Sequence, residues 1–285
     1  MFRWPTFILA GILLLGLSGM EPALGQPHEY SDIVIEAGSG RVLIATNADS
    51  IRHPASLAKI MTLFLTFQAL KNGTLHLDQQ LPVSLKAANQ EPTKLGLKPG
   101  ETISVENAIR SLVTQSANDS AVVLAEAISG NEENFGQSMT QQAKALGMEH
   151  THFYNSSGLP NPAQVTTASD MAALGYALIK NFPEFYSYFS IDDFVYQGAH
   201  YHNHNHLMKH YAGMDGIKTG YIHSSGFNLV ASAKRGNTRL IGVIFGGSSA
   251  PSRDKQMAEL LNKGFEMTHG KEVGEGASSI ISGQL

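Results

Sequence analysis

Ser56-Leu57-Ala58-Lys59-Ile60-Met61-Thr62-Leu63-Phe64 opens a stretch whose apolar residues fall at helical spacing: Leu57, Ile60, Met61, Phe64, Phe67 and Leu70. Asn72-Gly73 ends it. A separation of three puts the Ser56 and Lys59 side chains on one helix face, where they can touch. Ser56 falls in the first turn, where unpaired backbone N–H groups favour a developing negative charge. A serine hydroxyl needs a base to become a nucleophile. A lysine can be that base once burial or a neighbouring cation has driven it neutral. The pattern alone does not single out a site. Ser252-Arg253-Asp254-Lys255 has the same spacing, where a solvated helix start is expected.

Strand signals flank this helix toward both chain ends. Ile33-Val34-Ile35 and Val42-Leu43-Ile44 surround Gly38-Ser39-Gly40, which predicts a hairpin. Phe227 to Ala233 and Leu240 to Phe245 surround Arg235-Gly236-Asn237-Thr238, which predicts a second. Between them lie helices: one capped by Ser104 and reaching about Val113, one over Ser120 to Ile128, one capped by Asn131 and running to Gly147. Another opens at Thr167 or Ser169, and Arg253 to Phe265 is a closing helix. Strands, helices, strands and a helix in that order predict an α+β fold: one antiparallel β-sheet from both chain ends, flanked by helices, with a helical subdomain inserted.

Two further triplets carry chemistry. Ser116-Ala117-Asn118 sits in a break between two helices, where Ser116 could relay protons and the Asn118 amide could hold a peptide group. Lys218-Thr219-Gly220 follows Asp215-Gly216 and precedes Tyr221-Ile222. A strand edge there could pair with an extended substrate backbone, and Gly220 leaves room for that approach. Lys218 would supply a fixed positive charge and Thr219 a hydroxyl for a carboxylate.

Ser-x-x-Lys, Ser-x-Asn and Lys-Thr-Gly, in this order, form a known motif set of β-lactamases and penicillin-binding proteins. The surrounding sequence is more specific. Pro54 to Thr62, Gly96-Leu97-Lys98-Pro99-Gly100-Glu101, Ser116 to Asp119, Leu146-Gly147-Met148, Ser157-Gly158-Leu159-Pro160 and Asp215 to Tyr221 resemble the low-molecular-mass penicillin-binding D-alanyl-D-alanine carboxypeptidases. The resemblance covers about residues 31–265. It implies that Ser56 attacks the carbonyl between two D-alanines of a peptidoglycan stem peptide, that Lys59 takes its proton and that Ser116 passes a proton to the departing D-alanine. It implies an oxyanion hole of the Ser56 and Tyr221 backbone N–H groups. Asn118, Lys218, Thr219 and Gly220 would bind the substrate, and Lys218 would help to keep Lys59 neutral. β-Lactams would be covalent inhibitors, and the mechanism calls for no cofactor or metal.

Three departures from the family pattern stand out. Many relatives continue into a C-terminal β-domain and an amphipathic membrane helix, whereas the end at residue 285 points to a soluble or signal-anchored form. Ile222 stands where relatives often have threonine, which makes the rim of the cleft more apolar. His204 stands where many carboxypeptidases place an arginine that grips the terminal carboxylate. A histidine does so only when protonated, so binding is expected to weaken above about pH 7. That substitution leans toward the alternative activity, a D,D-endopeptidase that cuts cross-links. A β-lactamase would need a deacylating Glu-x-x-Leu-Asn between the second and third motifs, and none is present. An idle wall-binding or antibiotic-sensing module should have lost a catalytic residue, yet all three motifs are intact.

The rest of the chain sets the compartment. Arg3, the apolar run Phe7 to Leu17 and the small residues of Ala23-Leu24-Gly25 have the layout of a secretory signal peptide. The protein is therefore expected in the periplasmic or cell-wall space, with weak membrane association if the signal stays uncleaved. The chain divides into a signal peptide over 1–25, a catalytic domain over 26–270 and a flexible tail over 271–285. With no cysteine, it must stand on its core alone. Its 42% hydrophobic and 15% charged residues supply a core, and a net charge of −4 gives no footprint for nucleic acid. His200, His202, His204 and His206 would share one face of a strand. They read as a polar edge beside the site, with no carboxylate in the run to complete a metal site.

Overall fold

The computed structural model describes residues 29–278. The expected signal peptide lies outside the described residues. β1 (Ser31–Glu36) and β2 (Val42–Thr46) form the first hairpin, with Asp32 opposite Thr46. A short 3-10 turn, Ala55–Leu57, leads into α1 (Ala58–Lys71). Ile60, Met61, Leu63, Phe64 and Phe67 are all buried, so α1 is apolar nearly all round and runs through the centre of the molecule.

The inserted helical part follows. It contains β3 (Gln80–Pro82), α2 (Leu85–Ala88), β4 (Thr102–Ser104), α3 (Val105–Val113), α4 (Asn118–Ser129) and α5 (Glu132–Ala145). α6 (Ala168–Asn181) returns the chain to the sheet. Ser104, Asn131 and Thr167 each accept a backbone N–H at the start of α3, α5 and α6, the caps expected from the sequence. A small hairpin of β5 (Asp193–Tyr196) and β6 (Ala199–His202) precedes β7 (Met214–Ile222), β8 (Gly226–Arg235), β9 (Thr238–Gly247) and α7 (Ala250–Ser278).

The main sheet is antiparallel, with strand order β2-β1-β9-β8-β7. The two chain ends meet where Ser31 pairs with Phe245 and Glu36 with Leu240. Ile241 and Gly242 on β9 point to opposite faces, as neighbours on a strand must. Ile241 meets Gly175 of α6, and Gly242 lies under Met257 and Leu261 of α7. The sheet is thus covered on both faces, α6 on one side and α7 on the other. The α+β architecture read from the sequence is the one observed.

Two expectations are corrected. Residues 271–285 were expected to form a loose tail, but the backbone stays helical through Ser278, and 279–285 lie outside the described residues. A helix already nucleated by its packed first half extends at little cost per residue, despite Gly270, Gly274 and Gly276. The four histidines do not share a strand face, because β6 ends at His202. His202 pairs with Asp193 across the small hairpin, and Asn203 turns the chain away by donating to the Ile191 carbonyl. No helix among the described residues is long and apolar enough to cross a membrane.

Candidate active site

A cleft of about 380 Å³ opens between the helical part and the edge strand β7. Ser56, Ser116, Asn118, Thr219, Gly220 and Tyr221 all line it, so three motifs separated by up to 165 residues converge there. Ser56 sits in the 3-10 turn just before α1, one step earlier than the helical start expected. Ala55, before the nucleophile, has φ +49°, and Ser116 has φ +61°. Non-glycine residues adopt this region at a cost and are held there by their surroundings. For Ala55 the surroundings include Gly158, itself at φ +83°, where a Cβ would lie 1.9 Å from the Ala55 carbonyl oxygen. The Gly158 position of the Ser157-Gly158-Leu159-Pro160 segment is therefore fixed by contact with the nucleophile turn.

Lys59 is completely buried one helical turn from Ser56. Its Nζ lies 3.2 Å from Ser56 Oγ, 2.7 Å from Asn118 Oδ1 and 2.5 Å from the Ser157 carbonyl oxygen. Burial holds its pKa well below the usual lysine range, and the Lys218 charge pushes the same way, partly opposed by Asp119. A neutral amine has two N–H donors and one lone pair. The two carbonyl oxygens can only accept, so they take both N–H groups, and the lone pair is left facing the Ser56 hydroxyl. The arrangement suits proton removal from Ser56.

Asn118 is fixed from behind. Its Nδ2 donates to the Glu91 carbonyl and its backbone N–H to the Thr93 carbonyl. Asp119 holds the same loop by accepting from the backbone N–H groups of Leu95, Gly96 and Leu97. Ser116 Oγ is buried in the cleft wall without a hydrogen-bond partner among the described residues. That leaves its hydroxyl available to a group entering the cleft.

β7 has one partner strand, so its outer backbone groups face the nucleophile. Gly220 is the point of closest approach: a Cβ there would lie 3.2 Å from the backbone nitrogens of Ser56 and Leu57. Tyr221 is half exposed and packs on Phe227, their ring centres 4.4 Å apart, which makes one wall of the cleft aromatic.

Two charges differ from expectation. Burial and then the nearby Arg253 lower the Lys218 pKa to about 7, so its charge depends on pH. His204 lines the cleft as expected, but burial, then Lys218, His206 and Lys59, lower its pKa to about 4. That shift disfavours the charged imidazole in the cleft, whereas an arginine there would stay charged. Arg253, which is buried and lines the same cleft, is a permanent cation held in an ion pair with Asp254. Sequence reasoning set it aside as part of a solvated helix start. Its Nε and Nη2 donate to Asp254 and its Nη1 to the Asn228 carbonyl. These contacts leave two of the five guanidinium N–H groups unused.

A serine beside a buried lysine of lowered pKa, at the edge of a five-stranded antiparallel sheet with an inserted helical part, defines a serine hydrolase of the penicillin-binding type. The comparisons agree and are more specific. The peptidase S11 family profile, described as D-alanyl-D-alanine carboxypeptidase, matches residues 20–249, and the chain belongs to that family. It is 37% identical to the D-alanyl-D-alanine carboxypeptidase DacA of Escherichia coli, over 88% of this chain and 64% of the relative. It is 35% identical to DacF of Bacillus subtilis, over 93% of this chain and 71% of the relative. The chain thus spans about two thirds of the length of these relatives. In three dimensions it is similar to penicillin binding protein 5 from Haemophilus influenzae, with a TM-score of 0.81 at 34% identity, covering 87% of this chain and 73% of that one. Penicillin-Binding Protein D2 from Listeria monocytogenes, solved in a cefotaxime-bound form, is similar with a TM-score of 0.76 at 31% identity, over 86% of this chain and all of that one.

Proposed function

We propose that the protein is a serine-type D-alanyl-D-alanine carboxypeptidase of the bacterial cell wall, acting on peptidoglycan stem peptides and acylated by β-lactams. The observation that carries this reading is the 3.2 Å contact between Ser56 Oγ and the Nζ of a buried Lys59, whose pKa burial holds well below the usual lysine range, in a cleft that Arg253 also lines. Ser56 Oγ attacks the carbonyl of the penultimate D-alanine while its proton passes to Lys59 Nζ. The backbone N–H groups of Ser56 and Tyr221 hold the oxyanion. The C–N bond then breaks, and the leaving D-alanine nitrogen takes a proton delivered through Ser116. Water adds to the ester carbonyl, Lys59 accepting its proton, and as the C–O bond breaks that proton returns to Ser56 Oγ. Asn118, Thr219 and the edge of β7 align the acyl chain. The N-terminal sequence supports export to the periplasmic or cell-wall space.

The leaving D-alanine carries a carboxylate, and Arg253, protonated at every working pH and paired with Asp254, keeps two N–H groups to offer it. A charge-assisted bond contributes about 1.5–3 kcal/mol, so Arg253→Gln should raise KM for a D-alanyl-D-alanine peptide on the order of tenfold or more. An unchanged KM would assign the carboxylate to Thr219 and Lys218 instead. The His204 expectation also changes. Because the ring is already neutral above about pH 4, wild type and His204→Gln should show the same dependence of KM on pH between 5 and 8. His204→Arg should lower KM at both ends of that range. A pH response that disappears in the glutamine form would show that His204 does titrate in the working range.

The competing activity, endopeptidase cleavage of cross-links, uses the same machinery on a substrate without a free carboxylate at that place. Mass spectrometry of muropeptides digested by the pure protein separates the two. Loss of one alanine from a pentapeptide is the expected result. Conversion of dimers to monomers without alanine loss would replace the carboxypeptidase reading by the endopeptidase one.

A further inference from the structure

We propose that Glu132 is a positioning residue for the catalytic base, acting through Ser156 on the carbonyl that orients Lys59. The inference rests on the reading of Lys59 as base. Glu132 is the first residue of α5 and is buried, although it lies in no motif of the cleft. Its Oε1 accepts twice from one residue: from the Ser156 hydroxyl at 2.7 Å and from the Ser156 backbone N–H at 3.2 Å. The Ser156 carbonyl accepts from Thr62 Oγ1 at 2.6 Å, and the next carbonyl, Ser157, accepts from Lys59 Nζ. Thr62 and Lys59 are three apart on α1 and share a face. Ser156 is thus clamped between a carboxylate on α5 and a hydroxyl on α1, and the clamp aims the Ser157 carbonyl at the amine.

That aim matters because Lys59 has two acceptors to hold its two N–H groups. Asn118 is fixed by its own backbone and side-chain bonds. The Ser157 carbonyl sits in a turn whose direction depends on residues 155–158. If it swings, the amine can rotate and direct an N–H at Ser56 Oγ in place of its lone pair. A misplacement of about 1 Å at a reacting group can cost on the order of 100-fold in rate. Glu132 also meets Lys86 at 3.2 Å through Oε2, at the outer surface of the same loop. The Lys86 end of that ion pair is exposed and serves the carboxylate from the other side, so it provides a control that leaves the Ser156 bonds in place.

The test is the second-order rate constant for acylation by a fluorescent penicillin, normalised to the amount of enzyme that labels at completion. Glu132→Ala should acylate on the order of 10- to 100-fold more slowly. Glu132→Gln keeps an oxygen acceptor for Ser156 and should recover to within about threefold of wild type, as should Lys86→Met. Ser156→Ala, which keeps the N–H but loses the hydroxyl, should fall between. A Glu132→Ala rate within threefold of wild type would overturn the proposal, as would a glutamine form as slow as the alanine form. Should Glu132→Ala not fold, Ser156→Ala decides, and a wild-type rate there rejects the clamp. Wild type that never labels would instead reject the serine–lysine mechanism.

Discussion

Ser56→Ala is expected to abolish covalent labelling by penicillin and to cut D-alanine release by a factor on the order of 10⁶, the scale seen when a serine hydrolase loses its nucleophile. Ser252→Ala should leave both untouched, although Ser252-Arg253-Asp254-Lys255 repeats the spacing of Ser56 and Lys59. The distinction is structural. Ser56 lines the cleft and has Lys59 Nζ at 3.2 Å, whereas the Ser252 backbone N–H is tied to Ser249 Oγ at the start of α7 and its side chain is not part of the cleft. Intact-protein mass after incubation with penicillin, followed by peptide mapping, reads the outcome. A labelled peptide that excludes Ser56 would remove the proposed mechanism.

Lys59→Arg should be inactive even though it preserves the charge count of a textual alignment. A guanidinium stays protonated at any working pH and has no lone pair to offer Ser56. Loss of a general base costs about 10²–10⁴-fold. In the wild-type enzyme the neutral amine is the active form, so the acylation rate should rise with pH through the depressed Lys59 pKa and level off above it. Lys218, lowered to about 7, loses its charge in the neutral range, which makes Lys59 easier to protonate and substrate binding weaker as pH rises. The rate constant and KM should therefore respond to different groups. Stopped-flow acylation across pH 5 to 9 resolves them, and an arginine variant that acylates at a substantial rate would refute a lysine base.

Much of this was legible before any coordinates. Two hairpins separated by helices announced a sheet built from both chain ends, because alternating β-branched runs around Gly40 and Gly236 leave few other solutions. The three triplets announced the site, since each supplies a side chain whose type carries chemistry. Backbone groups were invisible by contrast. The Ser157 carbonyl on Lys59 has no signature in residue type, and the strain at Ala55 and Ser116 arises from packing across the chain. Arg253 was misplaced for a related reason: a helix start rich in charge reads as solvated, and only its contact with Asn228 of β8 shows that this one is buried. His204 lines the cleft, but its protonation depends on burial and on Lys218 and His206, which reach it through the fold. Glu132 belonged to the first turn of an ordinary capped helix, and nothing local distinguishes it from the exposed Glu133 beside it.

The proposed reaction turns on an acyl-enzyme on Ser56 formed from a D-alanyl-D-alanine substrate. It is tested most directly by rapid acid quench of the enzyme with a D-alanyl-D-alanine peptide, followed by intact mass and peptide mapping. The expected result is an adduct equal to the substrate less one D-alanine, carried by the peptide that contains Ser56, with free D-alanine released in equal amount during the first turnover. Release of D-alanine with no such adduct on that peptide, in an enzyme whose Ser56→Ala form remains active, would contradict it.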